Sequence, residues 1–294
     1  MPMPTATLPL DHLVMPVLDL ATARRRFESL GFTVAPDGVH PFGTANCCIY
    51  FPGGVFMEPL AVVDPALATA AAAAGNVFVS HDRLFRSAMG EEGLSAVVMS
   101  TDDARADHAR FVASGLSAGD VLDFSRPFTD HSGRTGTASF RLAFARSPDI
   151  RELLVFACER IGVPNVDRAA LERHGNGVTG IVSVVFSADE PAAFASLLSL
   201  AGAQPESVEG GFAYQLPNGR IEVMSPTAAA DRYGIAANGK GIEPGSVVFA
   251  VGDLEATARR FRDGGVSFQE SPTVLRVTPG PGQGVDFVFV EAGQ

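Results

Sequence analysis

Tryptophan is absent from the 294 residues, tyrosine and cysteine occur 3 times each, and basic side chains are scarce, 22 Lys and Arg against 33 Asp and Glu. Each shortage excludes something. Cys47, Cys48 and Cys158 are too few for a disulfide framework and two are adjacent, so reduced thiols in a cytoplasmic protein are expected. A formal net charge of −11 without a basic stripe repels phosphate backbones and leaves no nucleic-acid partner. No run approaches the roughly 20 apolar residues of a membrane span, and residues 1–10 lack the charged start and apolar stretch of a signal peptide, so no membrane association is expected. A Gly-rich phosphate loop with Lys, a G-x-S-x-G elbow and a C-x-x-C pair are also missing. Apolar residues, at 46%, are plentiful enough for two packed domains, and most of the 21 Phe are expected in the cores.

A repeat organises the chain. Residues 12–34 (HLVMPVLDLATARRRFESLGFTV) align without a gap on residues 246–268 (SVVFAVGDLEATARRFRDGGVSF). Asp19 falls on Asp253, Phe27 on Phe261 and Gly31 on Gly265. Each copy reads as a short apolar strand, an aspartate that caps free N–H groups, and a helix with Leu20, Ala23 and Phe27 on one face. A glycine suited to the left-handed helix stop ends each copy.

Two more copies lie between, at 95–116 and 182–202, the latter with one extra residue near Glu190. Strand candidates follow each helix: 32–35, 45–51 and 55–62; 121–124, 137–145 and 153–158; 212–216 and 220–224; 267–268, 273–277 and 285–290. The reading is α+β, with four βαβββ modules. The Ala-rich tract 66–74 reads as part of a surface helix, and His81 with Asp82 as part of a linker between the first two modules.

The opening LDHLVMPVLDLATARRRFESLGF, the hairpin HPFGTAN (residues 40–46), GGVFMEPLAVVD, HGNGVTG and GRIEVMSP together resemble the vicinal oxygen chelate superfamily, and within it the glyoxalase-like domain proteins of the glyoxalase, bleomycin-resistance and dioxygenase type. The hairpin is similar to that subgroup's H-P-x-x-G-T-x-N, one spacer short between Pro41 and Gly43. The resemblance implies two glyoxalase-like domains of cupped mixed sheets, 8–160 and 175–292, joined by a linker at 161–174. It also implies metal ligands on the first and fourth strands of paired modules. Only the first module matches, with His12 and Glu58. The corresponding positions elsewhere are Ala96 with Phe156 or Cys158, Val182 or Ser183 with Glu222, and Ser246 with Val288. That incomplete set disfavours glyoxalase I itself, and the missing histidine in the second half disfavours the ring-cleaving oxygenases.

Two functions stay open. One is an enzyme of lyase, isomerase or dioxygenase type, acting on a small, hydrophobic carbonyl or aromatic compound. There a divalent ion (Zn, Ni, Mn or Fe) is held by His12 and Glu58, and Glu58 is catalytic. The other is a metal-free, cofactor-free protein that binds or sequesters a small molecule. In that case Glu58, set in the apolar strand VFMEPLAV, needs a partner, a proton or a pocket, and burial would raise its pKa toward that of a general base. His40, Asn46, His131 and Glu222 are the expected substrate-binding residues. His174 and Asn176 are either a functional motif or a capped turn, and Cys47 and Cys48 alternate faces of one strand. The expected partner is a small molecule, with a homodimer open as the assembly.

Overall fold

The computed structural model describes residues 7–129, 135–162, 167–235 and 242–293. The first module runs β1 (Leu10–Pro16), α1 (Leu20–Ser29), β2 (Gly38–Val39), β3 (Thr44–Asn46), β4 (Ile49–Tyr50) and β5 (Phe56–Val62). A helical pair follows, α2 (Pro65–Ala73) and α3 (Val77–Met89). The second module runs β6 (Ala96–Thr101), α4 (Ala104–Ala113), β7 (Leu122–Thr129), β8 (Thr135–Ala145) and β9 (Leu154–Ile161). The third has β10 (Val178–Ala188), a broken helix containing α5 (Ala195–Leu198), β11 (Pro205–Val208), β12 (Gly211–Leu216), β13 (Gly219–Met224) and an added helix, α6 (Pro226–Tyr233). The fourth has β14 (Ile242–Val251), α7 (Leu254–Asp263), β15 (Gln269–Glu270), β16 (Val274–Val277) and β17 (Phe287–Glu291).

Four modules make two cupped mixed sheets, β2-β3-β5-β1-β6-β9-β8-β7 with β4 beside β5, and β11-β12-β13-β10-β14-β17-β16-β15. In every module the first strand lies parallel to the last: β1 with β5, β6 with β9, β10 with β13 and β14 with β17. Paired modules meet through antiparallel first strands, β1 with β6 and β10 with β14. Modules therefore pair in chain order.

The aspartate signal holds at three helices: the carboxylates of Asp19, Asp103 and Asp253 accept from the N–H of Thr22, Ala106 and Ala256 at 2.7, 2.9 and 2.8 Å. The third helix lacks this cap. Glu190 makes no capping bond, Pro191 follows, and the helix breaks into two 3₁₀ turns around α5. Gly31 and Gly265, at φ +83° and +67°, end their helices as the sequence implies.

Two expectations change. Residues 32–35 form no strand; the pairing starts at Gly38, because Phe32 is pulled into the core, 5.3 Å from Phe249. The Ala-rich tract is α2, largely exposed as expected, and the separate helix after it, α3, packs into the first cup, with Phe78 against Phe42 at 5.7 Å and Phe156 at 6.1 Å. His81 and Asp82 therefore lie buried on a helix, His81 Nε2 reaching the carbonyl of Ser95 at 3.0 Å.

The largest core lies between the outer faces of the two sheets and joins Leu13, Phe27, Val97, Val184, Phe249 and Phe287. Alternate residues of β1 and β6, among them Val14, Ala96 and Val98, face the first cup instead.

Gly43 seats the hairpin that carries His40 on the start of α2. At φ +88° an added Cβ would stand 2.6 Å from both Ala68 N and Asp64 O. Gly43→Ala should lower unfolding free energy by about 1–3 kcal/mol in denaturant titration; an unchanged midpoint would contradict this seating.

Candidate functional site

The first cup has a polar floor built mainly by module one. In the parallel register of β1 and β5, Val14 pairs with Glu58 and His12 with Phe56, so His12 and Glu58 share the concave face. His12 Nε2 stands 3.3 Å from Glu58 Oε2. Asn46, on β3, donates to Glu58 Oε1 at 2.5 Å. His40 Nε2 lies 3.6 Å from the same oxygen, and its Nδ1 is 2.9 Å from Thr44 Oγ.

Sequence reading missed Asp11. The β1–β6 pairing shifts register between Leu10 and His12, a bulge that breaks the usual alternation. The Asp11 carboxylate thereby reaches the ring of the next residue, His12 Nδ1, at 2.5 Å. Arg160, at the end of β9, closes the array with bonds of 2.5 and 2.7 Å to the two Asp11 oxygens. The floor is thus a chain of alternating charge: Arg160, Asp11, His12, Glu58.

The electrostatics follow from that order. Burial alone would lower the pKa of His12, but hydrogen bonds and charge from Asp11 and Glu58 outweigh it and hold the imidazole above its ordinary 6.5. Burial would raise Glu58; His12, the charge of His40 and the Asn46 amide bring it down instead, to about 2. The raised, base-like Glu58 expected of a metal-free site is therefore corrected, because the carboxylate already has its partners. His40 goes the other way, lowered to about 4 by burial, with Arg126 and His12 adding to the effect against the charge of Glu58. The same floor thus shifts one histidine upward and the other downward.

Over this floor lies a cavity of about 440 Å³. Phe56, Phe78, Phe124, Phe140 and Phe156 supply its aromatic walls. His12 stacks on Phe56 at 4.4 Å and His40 on Phe42 at 5.1 Å, which fixes both ring planes. Cys48 and Cys158 also face the cavity while Cys47 joins the core, and burial pushes all three thiols up. They are therefore protonated and poor nucleophiles. The segment expected as a mere linker reaches the mouth, where Asp167, Arg168, Ala170 and Leu171 line the opening.

Of the other expected residues, His131 lies outside the described residues. Glu222 sits in the second sheet, paired with Val185 as Glu58 is with Val14. It accepts from the Tyr233 hydroxyl at 2.8 Å and pairs with Arg220 at 2.8 Å. There α6 covers the concave face, with Ala229 and Tyr233 packed against Val185, Val248 and Val288. Glu222 is thus a tied structural carboxylate, remote from the first cup. His174 and Asn176 resolve to brackets between the two sheets. His174 Nδ1 accepts from Thr33 N–H and Nε2 donates to the Tyr50 carbonyl, while Asn176 donates to the Leu30 carbonyl at 2.9 Å.

The donor set for a divalent ion is short. Module two places Ala96 and Phe156 where module one has His12 and Glu58. Glu58 is engaged on both oxygens. Among the described residues no three His, Cys, Asp or Glu side chains group as an ion would require. The donor set of the described residues does not fit a metal centre. Among the same residues no helix is long and apolar enough to cross a membrane.

A cupped sheet of two βαβββ modules with its pocket inside defines the vicinal oxygen chelate class. The chain belongs to the family described as "Glyoxalase-like domain", which matches residues 10–201. No curated protein matches. Among solved structures, a hypothetical protein from Staphylococcus aureus superposes with a TM-score of 0.66 at 13% identity, covering 97% of this chain and 99% of that one. A variant 4-hydroxymandelate synthase from Streptomyces coelicolor gives 0.58 at 15% identity, covering 98% and 93%. A Mn(II)-bound glyoxalase from Novosphingobium aromaticivorans gives 0.51 at 12% identity, covering 98% and 85%. At such identities the likeness concerns the fold.

The charge order has a titration signature. In imidazole NMR, His12 should titrate above 6.5 and His40 near 4, and Glu58→Gln should lower the His12 value. Because His12 is raised, its contribution to stability is complete below its unfolded value of about 6.5 and is lost as pH rises through the folded value; lowered Glu58 contributes above its unfolded value of about 4.5 and is lost as pH falls toward 2. A His12 that titrates below 6.5 would contradict the assignment.

Proposed function

We propose that the first cup takes up a small aromatic or otherwise apolar carbonyl compound and enolises it by acid–base chemistry without a metal, as an isomerase or lyase step. The observation that carries this reading is that two histidines share Glu58 yet are shifted in opposite directions, His12 upward and His40 downward. Environments that drive two titratable groups apart mark an acid and a base. His12, its pKa raised and its Nδ1 backed by Asp11, is the proton donor, the Nε2 proton turning from Glu58 to the carbonyl oxygen. Neutral His40 is the acceptor for the proton on the adjacent carbon. Glu58 serves both as the fixed anion between them, and the phenylalanine walls exclude water.

The fold supports this choice only at the level of class. The metal-dependent alternative implied by the resemblance, with a divalent ion at His12 and Glu58, has a distinct consequence: activity that falls on chelation and returns with Mn, Fe, Ni or Zn. Sequestration without chemistry has another: binding without turnover.

Incubation in D₂O with a panel of aryl ketones separates the three. Deuterium should enter the carbon beside the carbonyl, unaffected by chelator. His12→Gln and His40→Gln should each slow this about 10²–10⁴-fold. Binding without exchange above buffer would leave the sequestration reading, and chelator-sensitive exchange the metal reading; either overturns ours.

A further inference from the structure

We propose that the same cup holds an anion subsite formed by Arg126 and Arg168, so that the accepted compound is an aromatic acid. Its carboxylate would sit at these guanidiniums, its ring between the phenylalanines, and its second polar group at His12. This rests on the first cup being the ligand site.

Four observations converge. Arg126 and Phe124 are two apart on β7 and both line the cavity, so this arginine points into an aromatic surface rather than to bulk water. Gly38 makes room for it. A Cβ there would stand 1.9 Å from Arg126 Nη1 and 2.7 Å from Asn46 Oδ1, so any side chain at 38 would displace the guanidinium from beside the floor amide. Arg168 lies with its Cζ 4.6 Å from the Tyr50 ring centroid, a stacked plane whose edges remain able to donate.

The fourth observation is the charge balance. The cup is lined by four cations, counting His12, against three carboxylates, in a chain of formal charge −11. The carboxylates are already engaged: Asp37 with Arg24 at 2.6 Å, Glu58 with His12 and Asn46, and Asp167 with the N–H of Ala169 at 2.9 Å. Arg160 is likewise taken, by Asp11. An entering carboxylate would meet the guanidiniums of Arg126 and Arg168, whose planar donors suit it.

The test is calorimetric titration of the full-length protein with phenylacetate, 3-phenylpropionate and 4-phenylbutyrate, each beside its primary amide. At least one acid should bind about tenfold or more tightly than its amide, in line with a charge-assisted hydrogen bond. Arg126→Gln and Arg168→Gln should each remove most of that preference, weakening the acid far more than the amide, with folding checked by circular dichroism. His12→Gln should preserve the ratio of acid to amide. Absence of any acid preference, including no binding by either member, would overturn the subsite. So would a preference that disappears in His12→Gln and survives both arginine variants, since the carboxylate would then sit on the floor. The two readings fail separately: acid preference without deuterium exchange spares the subsite and sinks enolisation, whereas exchange without acid preference does the reverse.

Discussion

Two carboxylates and one imidazole, each at least nine-tenths buried, share the floor of an apolar cup. Charges taken out of water persist only when each finds a partner of opposite sign. Here the partners form a line, Arg160 to Asp11 to His12 to Glu58, with the Asn46 amide closing the far end. Each link depends on the next. The bulge at Asp11 is needed because regular alternation would turn that carboxylate toward the opposite core. The aromatic walls, which make the desolvation costly, also hold the two histidine rings in fixed planes.

The repeated module explains why there are two cups, and among the described residues the differences between modules explain why the first is open and the second is covered. Glu58 and Glu222 occupy corresponding places on their last strands. In the first sheet α3 fills only part of the concavity and leaves a cavity of about 440 Å³. In the second, α6 lies over the sheet and Tyr233 binds the carboxylate that would otherwise face a ligand. The same scaffold position thus serves a pocket in one copy and packing in the other.

What was legible in the sequence is what is local. Asp19, Asp103 and Asp253 cap helices because a side chain three residues away from an N–H needs no knowledge of the fold. The glycine stops were readable for the same reason, and His12 with Glu58 because the resemblance fixed their strands. The rest depends on register and on distance along the chain. Asp11 joins the site through a one-residue shift that no periodicity reveals. Arg160 joins it across 149 residues. The Ala-rich tract announces a helix, but its seating against Phe42 and Phe156 arises from Phe78 on the following helix. The HGNG motif looked equally functional and structural. Only its partners, Thr33, Tyr50 and Leu30, decide the matter.

The central claim is that the first cup, and not the second or the seam between the sheets, receives the ligand. A crystal structure of the protein with 4-bromophenylacetate would test it through the anomalous signal of bromine. The account predicts a bromine peak inside the first cup, in contact with Phe56, Phe124 or Phe156. A peak beneath α6, between the two sheets, or nowhere would contradict it.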